Sequence, residues 1–159
     1  MGPSIKNKEF NAAIAYWKKH QYCNPSSLIN SVEMRFSCKF AIILCTEACI
    51  QMGKEIMQLV NGSESLSQVG IFYDLHTAGF LDDKETKRMA HLVHYRNRLV
   101  HECMETDIDE LVSVLAQEIN MILIFQRKVL KWERNYRKKT IITQLTEGVK
   151  IKTVFQSFF

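Results

Sequence analysis

Phe36-Ser37-Cys38-Lys39-Phe40-Ala41-Ile42-Ile43-Leu44-Cys45-Thr46-Glu47-Ala48-Cys49-Ile50 is the stretch on which the fold turns. Wound at 3.6 residues per turn, it is apolar nearly all round rather than along one stripe. A helix of that kind is the buried centre of a bundle, or it packs on both its own core and a partner subunit. Thr46 and Glu47 interrupt the run, and its continuous apolar part falls short of the ~20 residues of a membrane span. Followed outward, the pattern predicts one long helix over residues 28–60, closed by Asn61-Gly62-Ser63.

The flanking segments read as helices too. Phe10, Ile14 and Trp17 recur at helical spacing behind Ile5, predicting a helix over residues 5–22, and Asn24-Pro25-Ser26-Ser27 breaks it. A short helix is expected over residues 69–78, with Gly79 as its C-terminal cap. Asp82-Asp83 opens the next helix, carrying Thr86, Met89, Ala90, Leu92 and Val93. The last long helix starts at Asp107-Ile108-Asp109, where acids suit a helix N-terminus. Its wide stripe runs through Leu111, Val114, Leu115, Ile119, Ile122, Phe125, Val129 and Trp132. From Thr140 the character changes: Thr140-Ile141-Ile142-Thr143-Gln144-Leu145 is β-prone, and Val149-Lys150-Ile151-Lys152 alternates with period two. A terminal hairpin, a flexible tail and an arm that orders on a partner all fit. The expected fold is all-α, one helical domain over residues 1–132 with a tail over 133–159.

Composition narrows the class. With 47% hydrophobic residues, 2 Pro and 6 Gly in 159 residues, the chain can bury a core and is neither disordered nor turn-dense. Five cysteines, an odd number, argue against a disulfide scaffold. Cys38, Cys45 and Cys49 lie on the apolar helix and read as small buried hydrophobes. With no apolar signal core at the N-terminus, a soluble, reducing, cytoplasmic setting is expected. The net charge of +4 sits entirely in the tail: residues 133–159 hold six basic and two acidic side chains, leaving residues 1–132 neutral.

Potential chemistry is concentrated in His91-Leu92-Val93-His94-Tyr95-Arg96-Asn97-Arg98-Leu99-Val100-His101-Glu102-Cys103. On a helix Asn97 and His101 lie about 40° apart, whereas Arg96 and His101 lie about 140° apart. Either the helix ends between them, or a second copy across a two-fold axis completes the site. Arginine presents a planar fork to phosphate oxygens, histidine can take or give a proton near neutrality, and asparagine can hold either in place. Such a trio suits attack of an RNA 2′-hydroxyl on the adjacent phosphate, without a metal. A helix end on which these side chains merely cap carbonyls is the plainer reading of spacing alone. His91 and His94, with His101 and Glu102, could also face a metal, but no CxxC accompanies them, and no metal or other cofactor is expected.

Arg96-Asn97-Arg98-Leu99-Val100-His101-Glu102 resembles the R-x4-H signature of the HEPN superfamily. It is closer still to the HepT-like toxins of HEPN–MNT toxin–antitoxin pairs, whose motif reads RN-x-L-V-H-x-Y. Residues 36–56, with Thr46-Glu47-Ala48-Cys49-Ile50, are similar to the family's central helix. Tyr73-Asp74-Leu75-His76-Thr77-Ala78-Gly79-Phe80-Leu81 is similar to its L-x-x-A-G turn. The likeness covers residues 28–132. It implies an antiparallel HEPN-type bundle that forms a homodimer, with an RNA-cleaving cleft at the subunit interface and products ending in 2′,3′-cyclic phosphate. By position, Arg96 would stabilise the phosphate, Asn97 would orient, His101 would be general acid and base, and Arg98 would contact the RNA backbone. The resemblance also implies a minimal nucleotidyltransferase (MNT) antitoxin that attaches AMP to the motif tyrosine. Cys103 stands at that position. A thiol lacks the phenol hydroxyl, which leaves direct occlusion or a different partner as the route of control. The rival expectations are a non-catalytic HEPN subunit that binds a nucleotidyltransferase, and a structural adaptor whose basic tail meets a partner.

Overall fold

The computed structural model describes residues 8–61, 65–101 and 106–156. Among them are six helices and no strand: α1 (Lys8–Lys19), α2 (Pro25–Asn30), α3 (Val32–Asn61), α4 (Gln68–Thr77), α5 (Asp83–His101) and α6 (Ile108–Gln156). The all-α fold expected from the sequence is the fold observed.

α3 is the hub, in contact with every other helix. Cys38, Ile42, Cys45, Cys49 and Ile50 are buried along it, as the all-round apolar pattern required. Over residues 32–60 it is long and apolar enough to cross a membrane, but half of its most apolar 18-residue window is buried inside the bundle, as in a core helix. Gly53 allows α4 to come close: a Cβ there would stand 2.7 Å from Ile71 Cγ2. One edge of α3 stays uncovered, with Phe36 60% and Phe40 61% exposed.

Phe10, Ile14 and Trp17 of α1 are buried against the hub and α6, and the Trp17 indole N–H donates to the Leu115 carbonyl at 3.0 Å. The predicted start of α1 at residue 5 lies outside the described residues; the helix ends at Lys19 and residues 20–22 turn. The single helix expected over 28–60 is two helices. Ser31 leaves the helical region (φ −122°, ψ 102°) and its hydroxyl accepts from the Met34 N–H at 3.1 Å, capping α3. The Arg35 guanidinium reaches back to the Leu28 carbonyl at 2.7 Å and so fastens the two pieces at their joint.

Of the three readings open for the segment from Thr140, the hairpin is corrected: α6 continues through the segment as helix to Gln156. Extending a helix already formed fixes one residue per hydrogen bond, whereas a lone hairpin is marginal in water. The threonines join in, their hydroxyls donating to the carbonyl four residues back, Thr140 to Tyr136 at 3.0 Å and Thr143 to Lys139 at 3.0 Å. The boundary drawn at 132/133 therefore falls inside one helix.

The turn from α4 to α5 is built as its sequence suggests. Gly79 has φ +76°, the Phe80 N–H donates to the Leu75 carbonyl (2.8 Å) and the Gly79 N–H to that of His76 (2.9 Å), a Schellman closure. Two residues on, Asp82 and Glu85 cap α5 reciprocally: the Glu85 N–H donates to Asp82 Oδ1 (2.7 Å) and the Asp82 N–H to Glu85 Oε2 (2.9 Å). Gly79→Ala forces a side chain into the left-handed region and is expected to cost about 1 kcal/mol, read as a lowered denaturation midpoint with an unchanged denaturant slope.

The described cysteines are free. Burial pushes the Cys38 thiol up to about 11, with the nearby Cys23 adding to it, and the Cys45 thiol to about 12; fully buried Cys49 shifts in the same direction. Thiolate is the reactive form. Among these four, native-state alkylation at neutral pH is expected at Cys23 first, with the three α3 cysteines modified only after denaturation, as peptide mass spectrometry would report.

Candidate functional site

α5 carries the motif, and its rotation about its own axis is fixed at its start by the capped corner. Lys128 of α6 holds that corner too, donating to the Phe80 carbonyl at 3.1 Å and pairing with Glu85. Leu92, Val93 and Tyr95 are turned into the bundle. Arg96 follows them to the border of the core and meets α3.

There the Arg96 guanidinium donates from Nη2 to Glu47 Oε2 at 2.6 Å and from Nη1 to Asn97 Oδ1 at 2.8 Å. Its side chain is 16% exposed against 48% for Glu47, so the carboxylate is the more accessible partner. The Nε–H is buried without a hydrogen-bond partner among the described residues. Arg96 and Asn97 are thus brought together, with Asn97 held side-on by the arginine. Glu47 is the group to which the sequence assigned no role: it was visible as a carboxylate interrupting an apolar helix, inside the string that resembles the family's central helix, and contact with α5 gives it its part.

α5 remains helical through His101, which is its last residue and exposed. Of the two arrangements that the spacing allowed, a helix ending between Arg96 and His101 is excluded. On the continuous helix the two residues point about 140° apart, Arg96 inward to Glu47 and His101 to solvent. Arg98 is engaged elsewhere, paired with Glu110 of α6 and lying over the Tyr95 ring at 5.2 Å. Burial raises the Tyr95 hydroxyl pKa well above its usual value, and Glu110 adds to the shift, so that phenol stays protonated. Cys103 and Glu102 lie outside the described residues. His91 and His94 are exposed on α5, and among the described residues no group of three or more His, Cys, Asp or Glu is placed to hold a metal ion.

A groove of about 440 Å³ runs along the uncovered edge of α3 past Phe40, Ile43, Glu47, Gln51 and Glu55. The carboxylate that grips Arg96 therefore opens onto a surface that is apolar at one end and acidic at the other.

The six helices of the described residues, the fifth carrying R-x4-H beside a carboxylate of the third, match a HEPN-type helical fold. The sequence matches the family described as ribonuclease HepT-like over residues 11–129, and the chain belongs to that family. Among solved structures it is similar to a tri-AMPylated Shewanella oneidensis HEPN toxin in complex with an MNT antitoxin: 21% identity, TM-score 0.64, 79% of this chain and 98% of that one. It is similar also to a toxin–antitoxin complex with AMP-PNP, at 20% identity and TM-score 0.64, over 77% of this chain and 98% of the other. A third similar structure is YutE of Bacillus subtilis, described as a cytosolic protein of unknown function, with 15% identity, TM-score 0.64 and coverage of 86% and 95%. No curated protein matches the sequence.

Proposed function

We propose that this chain is the toxin of a two-gene toxin–antitoxin pair, a cytoplasmic, metal-independent endoribonuclease whose site is completed by a second copy of itself. The observation that carries the reading is the unbroken helix from Arg96 to His101. One copy cannot aim both side chains at one phosphate, while an isologous dimer supplies the missing one across its two-fold axis. The exposed Phe36 and Phe40 on α3 give such a dimer an apolar face to cover.

In this mechanism the His101 imidazole takes the proton of a 2′-hydroxyl, and the freed oxygen attacks the neighbouring phosphorus. The 5′ oxygen leaves with a proton from an imidazolium. The products are a 2′,3′-cyclic phosphate and a 5′-hydroxyl end. Arg96 stabilises the charge that gathers on the phosphoryl oxygens, and Asn97 keeps the guanidinium in plane. Glu47 holds the arginine in place until the phosphate competes for it. A minimal nucleotidyltransferase is the partner expected to silence the toxin. With Cys103 in place of the motif tyrosine, occlusion of the cleft is the more direct route than AMP transfer to that position.

The test is cleavage of RNA by the partner-free protein in EDTA. Undiminished cleavage with cyclic phosphate ends is expected; loss in EDTA would overturn the metal-independent reading. Arg96→Ala and His101→Ala proteins, each inactive alone, should regain partial activity when their subunits are exchanged, since a mixed dimer keeps one intact cross-subunit site. A folded dimer that cleaves no RNA would favour the non-catalytic nucleotidyltransferase-binding subunit instead.

A further inference from the structure

α6 outruns the residues that match the family. It continues for 27 residues past residue 129, roughly 40 Å of helix. The whole positive excess of the chain lies on this extension and the residues that follow it. Arg134, Arg137, Lys138 and Lys139 fall within six residues, all exposed, and none forms an ion pair among the described residues.

Where the extension leaves the body, it forms a groove of about 570 Å³ with the end of α3. That is within the ~300–1,000 Å³ of small-ligand pockets. Its wall carries Trp132 and Tyr136, stacked with ring centroids 4.9 Å apart and 19° between planes. Asn135 and Gln144 bring amides, and Lys139 brings a cation. A stacked aromatic pair beside a run of unpaired cations, with amide donors and acceptors between, is what a flexible polyanion bearing flat bases requires. A self-associating arm would instead have to place these cations against their own copies. Along α3, Leu59 at the groove is twelve residues beyond Glu47, roughly 18 Å.

We propose that this groove and the basic run beside it form a second RNA-binding site, which stacks a base of a single strand on Tyr136, contacts its phosphates through Lys139 and Arg137, and so tethers the substrate at a distance from the Arg96 cleft. The polymer's identity rests on the ribonuclease reading, but the readout is binding, so the two can fail separately.

The experiment titrates a fluorescein-labelled single-stranded RNA of mixed sequence, in EDTA, with full-length protein carrying His101→Ala so that the probe stays intact. Tyr136→Ala in that background is expected to weaken binding about 5- to 100-fold. Lys139→Ala is expected to lower the slope of log K against log salt by roughly 0.7. Both side chains are on the surface, so melting temperatures should stay unchanged. Wild-type affinity and slope in both variants would overturn the proposal, as would no measurable RNA binding by the reference protein. Intact RNA binding with loss of a nucleotidyltransferase partner would also overturn it, making the groove a protein dock. If the variants bind as expected while protein with native His101 cleaves nothing, the tether stands and the ribonuclease reading falls.

Discussion

Replacing His101 with alanine is expected to slow RNA cleavage about 10²–10⁴-fold, the usual contribution of a positioned general acid or base. The fold should be indifferent. His101 is exposed where the described part of α5 ends and contributes nothing to the core. The substitution therefore separates chemistry from structure in a way that Arg96→Ala does not, because removing the guanidinium leaves the Glu47 carboxylate without its partner. Circular dichroism and the elution volume on gel filtration should match wild type, with the loss confined to kcat. Unchanged cleavage by His101→Ala would remove the histidine from the mechanism.

The second large effect is structural. Trp17→Ala is expected to destabilise the chain by about 3–5 kcal/mol, a fall in melting temperature of roughly 6–20 °C at 2–4 °C per kcal/mol. Trp17 is fully buried where α1 meets α3 and α6, and its indole N–H is bound to the Leu115 carbonyl. Alanine leaves a cavity that three helices cannot close together, and it gives up the bond. Against a typical domain stability of about 5–15 kcal/mol, that is a large share. Tyr22→Ala, at a side chain 81% exposed, is the control and should change stability by less than about 0.5 kcal/mol.

The helices were legible wherever periodicity or composition was extreme. α3 was marked by apolar residues on all sides, α6 by its wide stripe, and the α4–α5 corner by Gly79. What escaped was decided by single side chains or by tertiary contact. The α2–α3 break depends on one serine hydroxyl turning to cap the Met34 N–H, inside a run whose hydrophobic pattern does not change. The β-prone composition of Thr140-Ile141-Ile142-Thr143 describes local preference, and the helix already propagating from Ile108 overrides it. At the site, Arg96, Asn97 and His101 were legible as a string. Their separation was fixed only when α5 proved continuous, and Glu47, forty-nine residues before Arg96, became a partner only through the packing of α3 on α5.

The double cap at the α4–α5 corner has a consequence for how this gene can change. The Schellman closure at Gly79 and the reciprocal Asp82–Glu85 cap lock the first turn of α5 to the end of α4. Adding or deleting one residue between them would leave every side chain of the motif intact, yet re-index α5 by about 100°. Arg96 would then swing off Glu47, and Leu92 and Val93 out of the bundle. Length at this corner is thus as constrained as identity in the motif, although no residue of the corner touches the site.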